Sequence, residues 1–557
     1  MRNIIIFIIL LVPCTIPAQE SLKSIEENYY DFLSLQGFAN RPTLNYRTLS
    51  DSVWAVDEAA NHPWLQQNLG TFHPLFGAFR LRVYGPELFI SGNTAAPYGQ
   101  NDGLLWQGRG FNAQFKGGAR IEGYGIELTL LPHLAFSQNA AFDYITPNYN
   151  EPQDIIFINK AGKYGYYGLR SIDAPQRFGD EAFFRWDFGD SEIRYTWKTV
   201  TVGFGTQAIW LGPAYLNPII HSNNAPSYPK FDLGIRRQPV TIPGLNWHIG
   251  DIEFRGWWGY LSESDWFDNN DSNDHNLITG VAVAYGFPSI LKGLTVGFNR
   301  IMLSKWETRN FAAIFSLLLP SMDGSLGMGN DEADQRASVI IDYLLPVGGI
   351  NIFFEWGRND YSPSADYIIR YPFHTEGYTV GIKKSLPITA TIKGEIVIEF
   401  TNLECSQDYD RLLSWSSTFY AHHIISQGHT NRGQWMGAGI GTGGNSQYLE
   451  TRVFFPKGYV SMFFQRRNPD LDYSYFIDSK KHPEEFKNGN FVSESNIRAF
   501  FDIGISGMYC ITPDFHASTS VVFRDEHNPL NKSVSLSDHS SVHRYNWHFS
   551  LLLKYYL

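Results

Sequence analysis

The chain is poor in charged residues, in cysteine and in extended apolar segments. Only 18% of its 557 residues are charged, against about 25% in a typical soluble domain. Beyond the N-terminus no apolar segment is long enough to cross a bilayer as a helix, which excludes a helical membrane protein. The formal net charge of −11 argues against a nucleic-acid partner, because nucleic acids select basic faces.

The three cysteines are Cys14, Cys405 and Cys510. The sequence around Cys14 is typical of an export signal: Arg2 is positive, residues 4–12 are apolar and Ala18 is a small residue before the expected cut. Pro13 is a poor fit to a lipidation site, so we do not expect a lipoprotein. The two remaining cysteines allow one disulfide in an oxidising compartment and exclude a disulfide framework.

Aromatic residues and glycine are abundant, at 16% aromatic content and 50 glycines. The final segment has an aromatic or aliphatic residue at every second position, whereas the residues between them are mostly polar. The apolar members are Tyr545, Trp547, Phe549, Leu551, Leu553, Tyr555 and Leu557. Since side chains of a strand alternate between its two faces, this pattern is typical of a strand in a bacterial outer-membrane barrel, with lipid on one face and water on the other.

Other segments repeat this alternation. Ile193, Tyr195 and Trp197 alternate with charged and hydroxyl residues, and residues 251–260 alternate in the same way. The charged members can be solvated only if their face lines a wet lumen. A large array of soluble β-sandwiches is the alternative that composition alone leaves open.

The connections between these segments are alternately short and long. Short turns with Pro or Gly are expected at 243–246, 288–293, 346–349, 386–387, 456–458 and 512–514. Long polar stretches lie at 262–276, 304–336, 358–376, 402–447, 467–496 and 525–543. This alternation predicts an antiparallel barrel with periplasmic turns and longer external loops.

Counting strands predicts an all-β transmembrane barrel of about eighteen antiparallel strands, preceded by a short periplasmic helical segment. Helical spacing links Leu22, Ile25, Tyr29, Phe32 and Leu33, and a second helix is expected from Pro63 to Gly70. The predicted organisation is a signal peptide at 1–18, a periplasmic helical segment at 19–76 and an outer-membrane barrel at 77–557. The helices are interpreted as a cap over the lumen.

Four stretches resemble a known family. They are YGPELFISGNTAAPYGQNDGLLWQGRGFN (84–112), IDAPQRFGD (172–180), residues 189–238 beginning GDSEIRYTWK, and GYLSESDWFDNNDSNDH (259–275). They are similar to the Wzi capsule-assembly family. The resemblance implies an outer-membrane lectin, an eighteen-stranded barrel with periplasmic helices that holds capsular polysaccharide at the cell surface.

Candidate carbohydrate-binding residues come from two segments that combine aromatic, amide and arginine side chains. Aromatic faces stack on sugar rings, and amide and guanidinium groups bind sugar hydroxyls or acidic groups. We interpret Trp210–Arg237 as one connection and the preceding segment, residues 101–109, as part of an external loop. The candidates are Trp106, Arg109, Trp210, Tyr215, Asn217, Asn223, Arg236 and Arg237. Membrane-girdle and turn roles are the alternative interpretation.

The sequence indicates no catalytic residues, no metal and no cofactor, and we do not expect an enzyme. The acidic stretch 265–274 lacks the spacing of an EF-hand and is interpreted as a solvated loop, with bridging divalent ions as a weaker hypothesis. His548 and Ser550, together with His422–His423, are the nearest approach to a hydrolase site, and no third orienting carboxylate accompanies them.

The predicted function is binding and anchoring of capsular or other surface polysaccharide in the bacterial outer membrane. Further expected contacts are outer-membrane lipid and lipopolysaccharide, and a partner in the periplasm or in the export machinery is left open. The alternative is a porin or oligosaccharide channel. An outer-membrane hydrolase is the third hypothesis.

Overall fold

The computed structural model describes residues 17–19, 23–57, 59–147, 163–167, 171–288, 291–307, 333–359, 365–405, 418–472, 497–531 and 542–557. Most of the predicted signal peptide lies outside these residues. Within them, no helix is both long and apolar enough to cross a membrane.

The chain forms a closed barrel of 18 antiparallel strands, which confirms the predicted fold class. In the first half the strands are β1 (Arg80–Asn93), β2 (Gly110–Gly123), β3 (Ile126–Leu130 and His133–Ser137), β4 (Phe183–Asp187 and Glu192–Trp197), β5 (Val200–Gly205), β6 (Lys230–Ile242), β7 (Trp247–Ser262), β8 (His275–Gly286) and β9 (Leu294–Lys305). In the second half they are β10 (Ala333–Leu345), β11 (Ile350–Asn359), β12 (Glu376–Pro387), β13 (Lys393–Asn402), β14 (Asn445–Phe455), β15 (Gly458–Asn468), β16 (Ala499–Thr512), β17 (Phe515–His527) and β18 (His543–Tyr555). The last strand pairs with the first, Ser550 opposite Ser91, so the wall has no free edge.

The outer wall is apolar and the lumen is charged, as the alternating pattern predicts. Ile193 and Trp197 on β4 are each more than 60% exposed on the outside, while Arg194 between them is 1% exposed. On β18 Tyr545, Trp547 and Phe549 are likewise exposed. Exposed apolar side chains in a closed wall can be accommodated only by lipid. The protein is therefore an outer-membrane β-barrel.

Short turns gather at one end of the barrel and long connections at the other. The predicted turns at 243–246, 346–349 and 512–514 lie between paired strands. β12 continues through Pro387 and pairs with β13 as far as Lys393, so the turn expected at 386–387 lies instead at 388–392. The long connections form the external end, and one of them carries a short helix, α2 (Ala365–Arg370).

Residues 23–79 fold into the periplasmic mouth and are called here the N-terminal plug. Its helix, α1 (Ile25–Leu35), begins at Ser24, whose Oγ accepts the N–H of Glu27, while the Glu27 carboxylate accepts the N–H of Lys23. The arrangement differs from a capping box in one respect: Glu27 accepts the N–H of Lys23, the residue before the N-cap, and not the N–H of Ser24 itself. The second predicted helix, Pro63–Gly70, is wrong: the chain forms turns there, and Trp64 instead stacks on Tyr29 at 3.9 Å between ring centres.

Short strand pairs complete the plug. Pro17–Gln19, Val53–Val56 and Ala39–Asn40 form a three-stranded sheet, and Tyr46–Arg47 pairs with Trp210–Leu211. His73–Pro74 adds to the end of β1. Outside the plug, Thr430–Asn431 pairs with Gln434–Trp435, and Pro346–Gly348 is one 3-10 turn between β10 and β11. The plug is thus more than a helical cap.

Ion pairs join the plug to the barrel wall. Arg41 bridges Asp31 of α1, at 2.9 Å, to Asp342 on the lumen face of β10, at 2.7 Å. Lys383 of β12 donates to the same Asp31 at 2.6 Å. Phe32 of α1 stacks on Phe454 of β14, with ring centres 4.4 Å apart. Apolar packing and charge pairing together hold α1 against the wall.

Cys405 and Cys510 are not joined by a disulfide. Cys510 is buried near the periplasmic end of β16, whereas Cys405 follows the external end of β13. Because they lie at opposite ends of the barrel, the disulfide that the sequence allowed is not formed.

Candidate functional site

Two of the long connections fold back into the lumen, and they are called here the inner loops, residues 206–229 and 418–444. Their apolar residues form one buried cluster with lumen-facing residues of β7, β8 and β9. The members from the inner loops include Ile209, Leu211, Ile219, Ile220, Tyr228, Tyr420, Ile425 and Met436, and those from the wall include Trp257, Ile278, Ala282, Ile301 and Leu303. Small residues make room: a Cβ on Gly280 would lie 2.0 Å from the Trp257 ring.

Carboxylates of the wall hold these segments by their backbone. Glu399 of β13 accepts the N–H groups of Tyr215 at 2.6 Å, of Leu216 at 3.0 Å and of Asn217 at 2.8 Å. Glu253 of β7 does the same for three consecutive residues of the plug, 44–46, at 2.7 to 3.0 Å. Buried N–H groups need such partners, and a carboxylate supplies several strong acceptor positions at once.

The external stretch 172–180 organises the outer surface. The Gln176 side chain donates to the carbonyls of Ile145 at 2.8 Å and Gly165 at 3.0 Å, joining two separate parts of the β3–β4 connection. Arg177 donates to the Asn139 carbonyl at 2.8 Å and to Asp180 at 2.8 Å. These hydrogen bonds connect three parts of that connection on the external side.

Asp173 joins the same stretch to the β7–β8 loop. Its two carboxylate oxygens accept the backbone N–H and the hydroxyl of Ser264, each at 2.6 Å. Asp173 is fully buried, and this burial raises the pKa of its carboxyl group to about 7 in spite of the hydrogen bonds from Ser264. Burial also shifts the pKa of a residue in the inner loops: it lowers the pKa of His221 to about 4, because burial disfavours the charged imidazolium.

Four rings form a row across these external segments, called here the aromatic row: Phe142, Tyr144, Tyr164 and Trp266. Successive ring centres are 5.8, 6.1 and 5.3 Å apart. Trp266 lies on Gly179, where a Cβ would be 2.6 Å from the indole. Beside the row Lys163 pairs with Asp180, and both side chains are more than half exposed. Tyr164 is buried, at 4% exposed, and the other three rings are half-buried. The row therefore offers the partly accessible rings of Phe142, Tyr144 and Trp266 next to accessible charges.

A cleft of about 100 Å³ lies between the β1–β2 connection, the inner loops and the upper wall. Its lining includes Tyr98, Trp106, Gln107, Gln434, Arg467 and Arg524. The Arg524 guanidinium lies 4.4 Å from the centre of the Tyr98 ring, and Trp106 contacts Phe178 edge-on at 5.2 Å. Phe178 and Gly179 are neighbours, so the stretch 172–180 contacts both the cleft and the aromatic row.

The model of the capsule assembly protein Wzi family matches residues 113–468 of this chain, well over half its length. The chain belongs to the Wzi family. This confirms the resemblance found in the sequence.

The family assignment agrees with the comparison of structures. The protein is similar to the Escherichia coli outer-membrane protein Wzi, described as a carbohydrate-binding β-barrel involved in group 1 capsule assembly. The two share 12% identity with a TM-score of 0.57, over 98% of this chain and 100% of that chain. A variant of OccD1 (OprD) is less similar, at 7% identity and a TM-score of 0.41 over 88% of this chain and 97% of that one. No curated protein sequence matches significantly.

The structure separates the predicted carbohydrate-binding residues of this Wzi family member into two groups. Trp106 and Arg109 lie on the external side. Trp106 lines the cleft, and Arg109 donates to the carbonyls of Thr94, at 3.0 Å, and Ala141. Their role in carbohydrate binding stays a prediction, and both positions are on the surface that a polymer outside the cell would meet.

The other candidates lie inside the barrel. Trp210 is fully buried, the Tyr215 hydroxyl donates to Glu450 at 2.8 Å, and the Asn217 side chain accepts from Gln100 at 2.6 Å. Asn223 accepts the N–H of Gly103 at 2.9 Å through its carbonyl. These contacts hold the inner loops in place, and a sugar-binding role for these residues stays a prediction.

Arg236 and Arg237 were predicted in an external connection, but the structure places them elsewhere. The connection from Trp210 ends before Lys230, and both arginines are in β6, in the periplasmic half of the wall. Arg236 pairs with Asp51 at 2.8 Å and Glu127 at 2.7 Å, and Arg237 pairs with Asp251 at 2.7 Å. The interpretation of Trp210–Arg237 as one connection is therefore wrong, because alternation along a strand was read as loop composition.

Sequence reasoning missed the aromatic row and the organising role of the stretch 172–180. Tyr144 and Tyr164 were overlooked because the β3–β4 connection has no periodic pattern. The sequence did carry one signal: IDAPQRFGD is dense in side chains that form hydrogen bonds, and it contains Gly179. In the structure Gly179 has a φ of 77°, a conformation that favours glycine.

Two minor candidates have structural partners. Asp268 and Asp274 of the acidic stretch 265–274, together with Glu263 just before it, have carboxylate oxygens within 4.8 Å of one another, and Asp268 accepts the N–H of Asn270 at 2.8 Å. In the hydrolase hypothesis, His548 contacts Asn93 at 2.9 Å and Ser550 contacts Ser520 at 3.0 Å. These two contacts are cross-strand neighbours rather than a nucleophile with its base.

Proposed function

We propose that this Wzi family member binds capsular or other surface polysaccharide at its external face and retains it at the outer membrane, without covalent chemistry. The observation that carries the proposal is the aromatic row beside the cleft, above a lumen occupied by the inner loops. A protein built in this way presents a fixed binding surface to the outside.

The chemistry of the two features suits a hydrated polymer. Aromatic rings pack against the apolar faces of sugar rings. The Gln434 side chain lines the cleft, and because its Nε2 donates to the Gly103 carbonyl at 3.0 Å, its amide oxygen is the group that it offers to a sugar hydroxyl. Lys163 beside the row and Arg467 in the cleft are cations suited to acidic sugars. Contacts at both features along one chain would add, because the second contact is intramolecular once the first has formed.

The direct test is binding of purified native polysaccharide to the detergent-solubilised protein. Replacement of Tyr144 and Trp266 together by alanine removes two rings of the row, and we expect at least about tenfold weaker binding. The matched control is Phe76→Ala, because Phe76 is 71% exposed but lies in the plug at the opposite end. Equal binding by the double variant and the wild type would count against the aromatic row as the site.

The test in cells is removal of the protein. A deletion strain should shed polysaccharide into the medium, and the wild-type chain should restore retention. Unchanged cell-attached polysaccharide in the deletion strain would contradict the proposal.

A porin or oligosaccharide channel is the second candidate. The inner loops and the plug fill much of the described lumen, which favours binding over conduction. Planar-bilayer recordings separate the two: the binding function predicts little conductance from the purified protein, whereas large steady single-channel currents would support a channel. Lipopolysaccharide and a periplasmic or export-machinery partner remain proposals that binding assays on the same preparation can test.

A further inference from the structure

Three metal-ligating side chains meet on the outer face of the barrel at its external rim. They are Asp525 and His527 near the end of β17, and His543 at the start of β18; they are called here the rim cluster. One ligand atom of each lies within 4.8 Å of those of the other two. None of them belongs to the aromatic row, the cleft or the contacts of the inner loops.

The register of the hairpin places these three side chains together. His527 pairs directly with His543 across the two strands, and Asp525 pairs with Tyr545. Residues two apart on a strand share a face, so Asp525 lies beside His527 on the outside, above the aromatic girdle that includes Phe523 and Tyr545, whose rings are stacked at 5.8 Å. The cluster thus rests on two rigid strands.

The distances are close to those of a metal site. Asp525 Oδ1 is 2.7 Å from His543 Nδ1, and Asp525 Oδ2 is 3.2 Å from His527 Nε2. Ligand atoms about 2.0–2.2 Å from a tetrahedral zinc ion are roughly 3.3–3.6 Å apart. Small side-chain rotations would therefore bring the three groups to coordination distance, with no change in the strands.

The two imidazole rings are also close to each other, with centroids 4.2 Å apart. Two imidazoles and one carboxylate are a ligand set for borderline divalent ions such as Zn²⁺, Ni²⁺ or Co²⁺, whereas Ca²⁺ and Mg²⁺ prefer sites made of oxygen alone. Three protein ligands leave a fourth position for water.

We propose that the rim cluster of Asp525, His527 and His543 binds one divalent transition-metal ion, with Zn²⁺ as the representative. The bound ion ties β17 to β18 below the connection that begins at Asn528. It would stabilise the β17–β18 hairpin at the level where the barrel leaves the membrane.

The experiment uses the full-length protein, purified in detergent with a tag that contains no histidine and dialysed against chelator. Titration with ZnCl₂ in a calorimeter should reveal one equivalent of bound metal for the wild type. His543→Ala and Asp525→Asn should each weaken that site by at least about tenfold, since each removes or neutralises one ligand. Addition of Co²⁺ should give the intense visible absorption of a tetrahedral site in the wild type and not in His543→Ala.

The matched control is His248→Ala. His248 Nε2 is 2.9 Å from Asp251, but in the described part of the chain this pair does not belong to a group of three metal-ligating side chains, so the variant should keep the zinc equivalent. Heat-modifiable migration in gels verifies that each variant is a folded barrel. The proposal is overturned if the wild type binds no stoichiometric zinc, or if both rim variants bind it as the wild type does. These results are independent of polysaccharide binding and leave the proposed function to its own test.

Discussion

Replacement of Glu399 by alanine tests how the inner loops are held inside the barrel. The Glu399 carboxylate accepts three consecutive backbone N–H groups, from Tyr215, Leu216 and Asn217. Its removal leaves these donors without their acceptor at a buried position, at a cost of about 1–3 kcal/mol for each. Because the loop can relax, we expect a total near the lower bound, about 3–5 kcal/mol.

A loss of about 3 kcal/mol shifts the equilibrium between a docked and a released loop by more than about a hundredfold. Two measurements report it: the temperature at which the folded barrel loses its heat-modifiable gel migration, and single-channel conductance in planar bilayers. For Glu399→Ala we expect a lower transition temperature and intermittent conductance. Glu399→Gln keeps one carbonyl acceptor, so its transition temperature and its conductance should lie between those of Glu399→Ala and those of the wild type.

The control is Glu181→Ala, which removes an exposed carboxylate on the same external side and should change neither measurement. The reasoning is refuted if Glu399→Ala keeps both the wild-type transition temperature and the wild-type conductance. In that case apolar packing alone would hold the inner loops, and the Glu399 carboxylate would contribute nothing measurable to their docking.

Three further predictions concern the plug and the external surface. Arg41→Met removes the bridge between Asp31 and Asp342 and should loosen the plug by about 2 kcal/mol, measured as faster proteolysis of residues 23–79; unchanged proteolysis would contradict it. The pKa of Asp173, about 7 in the folded protein, is above its unfolded value of about 3.9, so its protonated form favours folding and this contribution is lost as pH rises from about 4 to about 7. Asp173→Asn should flatten that part of the stability profile measured by thermal unfolding, and an unchanged slope would assign it to other groups. Gly179→Ala adds a Cβ 2.6 Å from the Trp266 indole at a φ of 77° and should weaken polysaccharide binding while leaving barrel stability nearly unchanged, as measured by calorimetry and heat-modifiable migration.

Prediction from sequence worked for the wall of the barrel because alternation is a local property. The outward residues Tyr545, Trp547 and Phe549, and the lumen residues Glu253 and Arg255, were assigned to the correct faces. Each assignment needs only the period of a strand and the rule that lipid accepts apolar side chains while charges need water. The alternation of short and long connections is likewise readable along the chain.

Prediction of the site worked less well because the location of a loop side chain depends on contacts distant in sequence. Tyr215 has the composition of a sugar-binding loop residue, yet its backbone is held by Glu399 and its hydroxyl by Glu450. Arg236 was read as part of a loop, although it is a wall residue paired with Asp51 of the plug. No local pattern reports such partners.

By itself the sequence determined that this chain spans a membrane as a cylinder of strands, which residues face lipid, and to which family the chain is similar. Only the tertiary structure decided that two long connections return into the lumen while the rings of Phe142, Tyr144, Tyr164 and Trp266 stay outside. The physical reason is that strand faces follow from neighbours along the chain, whereas the burial of a loop follows from the carboxylates and small residues that the opposite wall offers to it.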